Sequence, residues 1–345
     1  MKNIRIGIIG SGGIAQAAHM PGYKNTGGAE MVACCDIIEA TARTAADKFN
    51  IPAVYTDYRE MFRKENLDAV SVCTPNAFHK APAIAALKAG LHVLCEKPLA
   101  MNPAEGRAMC AAAKKARRLL QVGLNSRFAG GNQAIKKFVE AGEIGKVYYA
   151  RAQALRRRGI PGWGVFIEKS KSGGGPLIDI GVHILDLALW LMGHPEPVSV
   201  CGGSYCNFGK RKDIFAPWGS WDPKRYTVED LGVGFVRFRD GTTLTLEASW
   251  AAHIQEDVWN VTLMGTEGGI TTSPPMVLQE KHRMLVDVSP RQVPETVSHT
   301  EEVRAFVKSV REGKPSLVPG EQGLMVTRIL DGIYRSAIAK HEVRV

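Results

Sequence analysis

A predicted buried helix carries three polar side chains on one face. The segment "PLIDIGVHILDLALWLMG" (residues 176–193) is apolar apart from Asp179, His183 and Asp186, which are spaced four and three residues apart. A helix over residues 177–192 that is apolar on its other sides is buried, and unpaired carboxylates are costly to bury. The stripe therefore predicts either a ligand-facing site or a set of paired core residues. In a ligand-facing site, an imidazole with an ordinary pKa of ~6.5 can take or give a proton near neutral pH.

A lysine stands at the end of an apolar run, "HVLCEKP" (residues 92–98). The run predicts a strand, and in open α/β sheets ligands bind at the carboxyl ends of the strands. Because Lys97 precedes Pro98, its backbone is restricted to an extended form, which limits where its side chain can point. An ammonium group held there could stabilise a developing negative charge. The alternative for Lys97 alone is a surface ion pair.

The chain opens with a glycine-rich turn after its first apolar run. Gly10, Gly12 and Ala15 have G-x-G-x-x-A spacing, and a helix is predicted over residues 14–25. Gly10 permits the tight turn, Gly12 lets a pyrophosphate approach the backbone, and the helix start offers free N–H groups to phosphate. We expect Gly13 and Ile14 to belong to the same binding turn. The alternative is a glycine corner without a nucleotide.

An acidic residue ends the second predicted strand, "AEMVACCD". Asp36 lies 21 residues beyond Ala15, a spacing that suits a carboxylate accepting hydrogen bonds from an adenosine ribose. The same carboxylate repels a 2′-phosphate, and the following Ile37 and Ile38 offer no compensating positive charge. The pattern therefore favours NAD over NADP as cofactor.

The pattern of predicted strands and helices differs between the two parts of the chain. Residues 1–124 alternate six predicted strands with helices, which indicates an α/β domain with a doubly wound parallel sheet. Residues 125–345 hold longer β-type runs, a hairpin turn at Asp240-Gly241, and helices at 130–141, 177–192 and about 320–339. We expect this second domain to be α+β, with a large, open, mostly antiparallel sheet.

The overall composition narrows the class of protein. The net charge of +10 comes from scattered clusters at Lys114–Arg118, Arg156–Arg158 and Lys210–Lys212, without interleaved aromatics, so we expect no nucleic-acid partner. We find no apolar run of the ~18–20 residues that a membrane span needs. The start "MKNIRIGIIG" suits a first strand better than a signal peptide, and we expect a cytoplasmic protein.

The seven cysteines carry no sign of a disulfide framework or a metal site. The chain has no C-x-x-C pair, and we expect no bound metal. Cys34, Cys35, Cys73 and Cys95 lie in apolar strand-like runs, which predicts that they are small buried residues.

Five segments, taken in order, resemble the Gfo/Idh/MocA family (glucose–fructose oxidoreductase, inositol dehydrogenase and rhizopine catabolism proteins). They are "GIIGSGGIA", Asp36, "VCTPNAFH", "CEKPLA" and "GGGPLIDIGVHILDLALWLMG". The resemblance covers essentially the whole chain. It implies an N-terminal Rossmann domain, a C-terminal domain with an open sheet, and a homo-oligomer (dimer, tetramer or larger) formed through that sheet.

The resemblance also implies roles for particular residues. Lys97, Asp179 and His183 match the family's catalytic lysine, aspartate and histidine. The cofactor site is implied to be lined by Thr74, Asn76, His79, Glu96 and Lys97. Ala15 stands at the third glycine position, which is a common variation.

Two further segments are candidates for contact with the ligands. Asn125, Arg127 and Phe128 follow the last predicted Rossmann strand, so we expect them to face the cleft, Asn125 towards the cofactor and the other two towards substrate. "RRRGIPGWG" supplies Arg157 and Trp163 just before the glycine loop. An aromatic ring beside polar groups suits a sugar ring, and the alternative for Trp163 is simple packing.

These expectations combine into an NAD-dependent oxidoreductase that oxidises a secondary ring hydroxyl, such as that at C3, of a sugar, glycoside or cyclic polyol. His183 takes the hydroxyl proton, Lys97 stabilises the developing alkoxide, and Asp179 holds the substrate or balances the charge of Lys97. Lysine as the base stays open. Two alternatives remain: a redox-assisted glycosidase that retains its NAD, and a non-enzymatic sugar-sensing regulator on the same fold.

Overall fold

The chain forms two compact units. The computed structural model describes residues 3–345. The first unit comprises the described residues up to Phe128 together with Thr296–Leu324, and the second comprises Ala129–Glu295 and Met325–Val345. The chain therefore passes between the units at three points, and residues 296–324 return to the first unit.

The first unit contains a six-stranded sheet. Its strands are β1 (Ile4–Ile9), β2 (Ala29–Cys35), β3 (Ala53–Tyr55), β4 (Ala69–Val72), β5 (His92–Glu96) and β6 (Leu120–Gly123). Their order is β3-β2-β1-β4-β5-β6, and neighbouring strands pair in parallel. This confirms the predicted doubly wound sheet. The order runs outward from β1 and β4, so the carboxyl ends of those two strands flank the topological switch point, where such sheets bind ligands.

Helices follow the strands of this sheet. A π-helical turn (Ala15–His19) leads into the first α-helix, and two 3₁₀ turns lie at Asn76–Phe78 and Asn125–Phe128. The α-helices here are α1 (Met20–Lys24), α2 (Glu39–Phe49), α3 (Tyr58–Lys64), α4 (Lys80–Lys88) and α5 (Pro103–Ala116). Local sequence explains the start of α5, because Asn102 accepts a hydrogen bond from the Glu105 N–H (3.0 Å) and Pro103 occupies the first helical position.

The second unit is built on a nine-stranded sheet. Its strands are β7 (Val147–Leu155), β8 (Pro197–Tyr205), β9 (Leu231–Phe238), β10 (Thr243–Ser249), β11 (Val258–Gly265), β12 (Gly269–Thr272), β13 (Pro275–Lys281), β14 (Met284–Val288) and β15 (Val343–Arg344). The order is β14-β13-β12-β11-β7-β10-β9-β8-β15. Within it β7 and β10 pair in parallel and the remaining neighbours are antiparallel, which confirms the predicted, mostly antiparallel sheet. The predicted hairpin turn joins β9 to β10, and Gly241 adopts the positive φ (+89°) that it requires.

The helix with the polar stripe packs on this sheet. The helices here are α6 (Gly130–Glu140), α7 (Lys169–Ser172), a π-helical turn (Leu177–Gly181) and α8 (Val182–Leu191). The π-helical turn contacts β10, and α8 contacts β7 and β11. Small residues allow the close approach, since a Cβ on Gly181 would lie 3.1 Å from that of Ala248.

Two helices complete the chain, α9 (Ser298–Glu312) and α10 (Gly320–Ala339). The sequence analysis predicts the second but not the first. In α9, Val303, Phe306 and Val307 join the core of the first unit with Ile6 and Ile8. Through this packing α9 contacts the parallel sheet of the first unit.

The stretch Lys169–Leu191 is long and apolar enough to cross a membrane by length and composition, although the sequence analysis found no such run. In the structure 83% of its apolar window is buried, as in a core helix. All seven cysteines are free thiols, and the four predicted to be buried are buried. Among residues 3–345, no group of three or more His, Cys, Asp or Glu side chains is arranged to hold a metal ion.

Candidate active site

The turn after β1 requires glycine at its first position. Gly10 has φ +83°, and a Cβ there would lie 2.8 Å from the carbonyl of Cys73 and the nitrogen of Thr74. The Gly10 N–H also donates a hydrogen bond to the Cys35 carbonyl (2.8 Å). The turn is therefore closed tightly against the loop that follows β4.

The next residues of the turn present open backbone. A Cβ on Gly12 or on Gly13 would meet no atom within 4 Å, and Ile14 is 37% exposed. Nearby, the Thr74 hydroxyl oxygen is buried and has no hydrogen-bond partner among the described residues. The open glycine backbone at the helix start and the Thr74 hydroxyl can both donate hydrogen bonds to phosphate oxygens. The arrangement therefore fits a dinucleotide pyrophosphate.

Asp36 is fixed by backbone donors and remains half-buried. Its carboxylate accepts hydrogen bonds from the Ser11 N–H (2.9 Å) and the Ile38 N–H (3.0 Å). A carboxylate has about four acceptor positions, so two of them stay available to a ribose. Ile37 and Ile38 beside it are 90% and 60% exposed, which leaves apolar surface next to the carboxylate.

His79 ties the loop after β4 to the loop after β5. The ring is fully buried, with Nδ1 2.8 Å from the Pro98 carbonyl oxygen and Nε2 2.9 Å from that of Thr74. Burial lowers the pKa of His79, and its two carbonyl partners oppose that shift. Both ring nitrogens therefore lie within hydrogen-bonding distance of backbone carbonyl oxygens. Asn76 lies in the 3₁₀ turn (Asn76–Phe78) that ends at His79.

Glu96 supports the backbone of Lys97. One carboxylate oxygen accepts the Lys97 N–H (3.0 Å) and the other lies 2.8 Å from His19 Nε2. Burial alone would raise the pKa of Glu96, but the hydrogen bond and charge of His19, with the charges of Lys97 and His299, lower it to about 2. The carboxylate is thus a buried anion that fixes the lysine at its backbone.

Sequence reasoning missed the partners of Glu96. His19 is 1% exposed, and its Nδ1 lies 3.1 Å from the Ser71 hydroxyl, which in turn lies 2.8 Å from the Tyr23 hydroxyl. Burial raises the pKa of Tyr23 well above its usual value. A histidine in the run "AQAAHM" after the glycine turn was the available signal, but its partner is 77 residues away.

The residues that follow β6 have mostly structural partners. The Asn125 amide donates to the Ser298 hydroxyl (2.9 Å) and lies 3.3 Å from His299 Nδ1. Arg127 is fully buried; it donates to the Leu317 carbonyl (2.9 Å) and to the Gln322 side chain (2.5 Å), and Phe128 is 6% exposed. Arg127 and Phe128 therefore belong to the interior of the first unit.

In the second unit, a buried glutamate caps the helix with the polar stripe. Glu229 accepts the Gly175 N–H (3.0 Å), the Leu177 N–H (3.1 Å) and the Tyr334 hydroxyl (2.8 Å). Burial raises the pKa of Glu229 although these donors oppose the shift. Any Cβ on Gly174 would collide with Tyr334, and one on Gly175 with Glu229, so these glycines serve close packing.

The three polar residues of the stripe differ in solvent exposure. Asp179 and His183 are half-buried, whereas Asp186 is fully buried. Trp250 donates its indole N–H to the Asp179 carboxylate (3.0 Å), and the His183 and Trp259 rings lie 6.5 Å apart. The imidazole and one carboxylate thus retain access from outside the unit's core.

Arg156, whose charge interacts with that of Asp179, belongs to a segment that also carries Arg157 and Trp163. Burial lowers the pKa of Arg156, and the charges of Asp179 and Asp257 oppose that shift. The exposed Arg157 has its N–H on Asp257 (2.7 Å) and its guanidinium on the Gln255 carbonyl (3.0 Å). Trp163 is 54% exposed.

Comparison with known proteins gives the class. Residues 4–124 match a family model described as "Oxidoreductase family, NAD-binding Rossmann fold" (Gfo/Idh/MocA), and residues 136–345 match its "C-terminal alpha/beta domain". The chain belongs to this family, and it is an NAD-dependent oxidoreductase with a Rossmann domain and a mostly antiparallel C-terminal sheet.

Particular relatives cover nearly the full length. D-glucoside 3-dehydrogenase of Escherichia coli (strain K12) is 38% identical over 336 residues, 97% of this chain and 95% of the relative. Myo-inositol 2-dehydrogenase of Thermotoga maritima is 28% identical over 99% of this chain and 98% of its own. A solved structure of levoglucosan dehydrogenase with NADH and L-sorbose is similar, with a TM-score of 0.86 and 26% identity over 100% of this chain and 99% of that one.

Proposed function

We propose that this protein oxidises a secondary ring hydroxyl, such as that at C3, of a sugar, glycoside or cyclic polyol. The proposal rests mainly on Asp179 and His183. Both remain partly exposed on a helix whose start is held by hydrogen bonds to the Glu229 carboxylate. The names of the relatives support the substrate class, since they act on a glucoside, an inositol and levoglucosan.

The cofactor site is proposed to lie at the carboxyl ends of β1, β2, β4 and β5. Gly10, Gly12, Gly13 and Ile14 would hold the pyrophosphate, because their turn is tight and its backbone is open. Asp36 would bind the ribose. We place Thr74 beside the pyrophosphate, and Asn76, Lys97 and Asn125 around the nicotinamide half, with His79 and Glu96 holding the loops. Bound NAD⁺ supplies the hydride acceptor.

Three residues are proposed to handle charge and protons. His183 takes the hydroxyl proton, because an imidazole is basic near neutral pH. Lys97 stabilises the negative charge that develops on the oxygen, and its backbone N–H is held by the Glu96 carboxylate. Asp179, held by Trp250, orients the substrate through a hydroxyl. Arg157 and Trp163 would contact other parts of the substrate, whereas the buried Arg127 and Phe128 are left out of this set.

The assembly and compartment belong to the same proposal. A homo-oligomer would form through the nine-stranded sheet, whose outer face carries half-exposed Tyr149, Gln153, Thr245 and Phe235. Seven free thiols suit a reducing compartment such as the cytoplasm. Sedimentation equilibrium of the purified protein measures the oligomeric state, and a monomer at all concentrations would contradict this part.

A substrate panel tests the function. Purified protein with NAD⁺ is incubated with free sugars, inositols and glycosides, and NADH absorbance is recorded beside release of aglycone. Lys97→Ala and His183→Asn should each lose at least ~100-fold in kcat. The exposed Lys88→Ala and His282→Asn serve as matched controls and should keep wild-type rates.

The outcomes separate the candidates. NADH formed in step with sugar oxidation supports the dehydrogenase. Aglycone release without NADH indicates the redox-assisted glycosidase, and sugar binding without either product indicates a regulator. Near-full turnover in both active-site variants would contradict the residue assignment. The pH dependence of kcat identifies the base. If kcat rises with pH in the wild type, and Lys97→Ala abolishes that rise while His183→Asn retains it, lysine is the base.

A further inference from the structure

We propose that Trp163 and Trp218 form a second ring-binding subsite, which takes the aglycone or second sugar ring of a glycoside. This inference rests on the function proposed above and narrows its substrate class from sugars in general to glycosides. Trp163 and Trp218 come from loops about 55 residues apart, and both remain exposed, at 54% and 38%.

The two indoles form an ordered stack. Their ring centroids lie 5.9 Å apart with the planes inclined by 26°. Phe166 supports Trp163 from its edge, at 6.4 Å and 80°, and the Arg156 guanidinium lies 4.2 Å from the Trp218 ring centroid. Trp163 is thus held by two aromatic neighbours while more than half of its surface stays open, so little ordering remains to be done when a ligand stacks on it.

Backbone contacts fix the two loops together. The Gly162 N–H donates to the Trp218 carbonyl (3.0 Å), and a Cβ on Gly162 would collide with the backbone of Gly219. A Cβ on Gly159 would lie 2.7 Å from the Arg156 side chain and 3.5 Å from the Trp218 ring. The glycines therefore permit the close approach that positions both indoles.

Arg156 connects this subsite to the reacting end. Its guanidinium lies over Trp218, and its backbone N–H donates to the Ser249 carbonyl (2.9 Å). The next residue, Trp250, donates to Asp179 (3.0 Å), which lies four residues before His183. These residues all belong to the second unit. A substrate with one ring at Asp179 and His183 would therefore extend its next ring towards the indoles, with Arg156 donating to hydroxyls between them.

The chemistry of the patch favours a ring with an apolar face. Sugar rings and aryl groups both present a flat C–H or π face that packs on an indole. A methyl glycoside offers no second ring. The protein should therefore discriminate between one-ring and two-ring glucosides at this subsite.

Steady-state kinetics with three probes test the subsite: methyl β-D-glucopyranoside, phenyl β-D-glucopyranoside and cellobiose. In the wild type, KM for the two-ring probes should be about tenfold lower than for the methyl glucoside. Trp218→Ala should remove that advantage while its kinetics with methyl glucoside change less than about twofold. Trp163→Ala should lose more on the two-ring probes than on the methyl glucoside. Trp163→Phe should restore part of it. Phe215→Ala removes another exposed aromatic (75% exposed) outside the stack and is the matched control.

Contrary results are equally specific. An equal loss on all three probes, or no loss on any, overturns the subsite. A change of oligomeric state in Trp163→Ala identifies the indoles as an interface and overturns the subsite as well.

Calorimetric binding of phenyl and methyl glucoside in the presence of NADH separates the subsite from the proposed reaction. If no sugar is oxidised yet Trp163→Ala weakens phenyl glucoside binding selectively, the subsite stands and the proposed reaction falls; if wild type oxidises methyl glucoside without preferring two rings, the reverse holds.

Discussion

Replacing Glu96 by glutamine removes a buried negative charge without changing the shape of the side chain. The charge is held by His19 Nε2 at 2.8 Å and by the Lys97 N–H at 3.0 Å. In Glu96→Gln, the amide oxygen can still accept the Lys97 N–H. The amide NH₂ then faces His19 Nε2, which must be the unprotonated acceptor nitrogen. The ring proton is then on Nδ1, which donates to the Ser71 hydroxyl.

The magnitude follows from the lowered pKa. The pKa of Glu96 falls from 4.5 to about 2 on folding, because His19 and Lys97 outweigh the cost of burial. That difference corresponds to about 3 kcal/mol of stability near pH 7. Because the folded pKa is depressed, the contribution is complete above the unfolded pKa and disappears as pH falls towards 2. About 1 kcal/mol of it should be gone by pH 4.

Urea denaturation at pH 7, 5 and 4 measures this effect. Far-UV circular dichroism follows the whole chain, whereas tryptophan fluorescence reports on the second unit, which contains all six tryptophans. We expect Glu96→Gln to be less stable than wild type at pH 7 by up to about 3 kcal/mol, and the gap to narrow by about 1 kcal/mol at pH 4. The exposed Glu30→Gln is the matched control and should show neither effect. A gap that is absent at pH 7, or equal at pH 7 and 4, would refute the reasoning.

Three further changes test other parts of the molecule. Gly10→Ala should abolish NAD binding in calorimetry, because the new Cβ meets the Cys73 carbonyl and φ is +83°; an unchanged Kd contradicts the closed turn. Asp36→Asn should lower the preference for NAD over NADP at least ~10-fold in kcat/KM, since the repulsion of a 2′-phosphate is lost; an unchanged ratio removes Asp36 from the ribose site. Burial raises the pKa of Glu229, so wild type should lose stability relative to Glu229→Gln as pH rises above ~4.3. Thermal denaturation between pH 4 and 8 checks this, and an opposite trend contradicts a buried, destabilised carboxylate.

The parts of the site that sequence predicts are local in the chain. Gly10 and Gly12 lie in one turn, and Asp36 ends the next strand, so spacing alone indicates how they are arranged. The stripe of Asp179 and His183 is likewise a property of one helix. These features depend on the period of the strand or helix, which a single sequence displays directly.

What sequence reasoning missed depends on contacts between distant segments. His19 and Glu96 are 77 residues apart, and Glu229 meets the helix start from 52 residues away. Helix α9 carried a readable pattern in Val303, Phe306 and Val307, but its return to the first unit depends on packing such as that of Val303 against Gly22. A propensity argument contains no information about such partners.

The reason for the glycines before the stripe was also hidden. The run "GGGP" predicts a loop, and the sequence gives no reason for three glycines in it. Tyr334 and Glu229 occupy the space that side chains on Gly174 and Gly175 would need. Gly174 is therefore required by a tyrosine 160 residues further along the chain, and Gly175 by a glutamate 54 residues further along.

Transfer of label from the substrate carbon tests the central claim most directly. Methyl β-D-glucoside carrying deuterium at C3 is incubated with the wild-type protein and NAD⁺, and the products are analysed by mass spectrometry and NMR. We predict that deuterium appears on the reduced cofactor in a one-to-one ratio with the 3-keto glucoside, and that Lys97→Ala and His183→Asn form both at least ~100-fold more slowly. Unlabelled cofactor, or a released aglycone with the deuterium still on the sugar, would contradict hydride transfer to NAD as the net reaction.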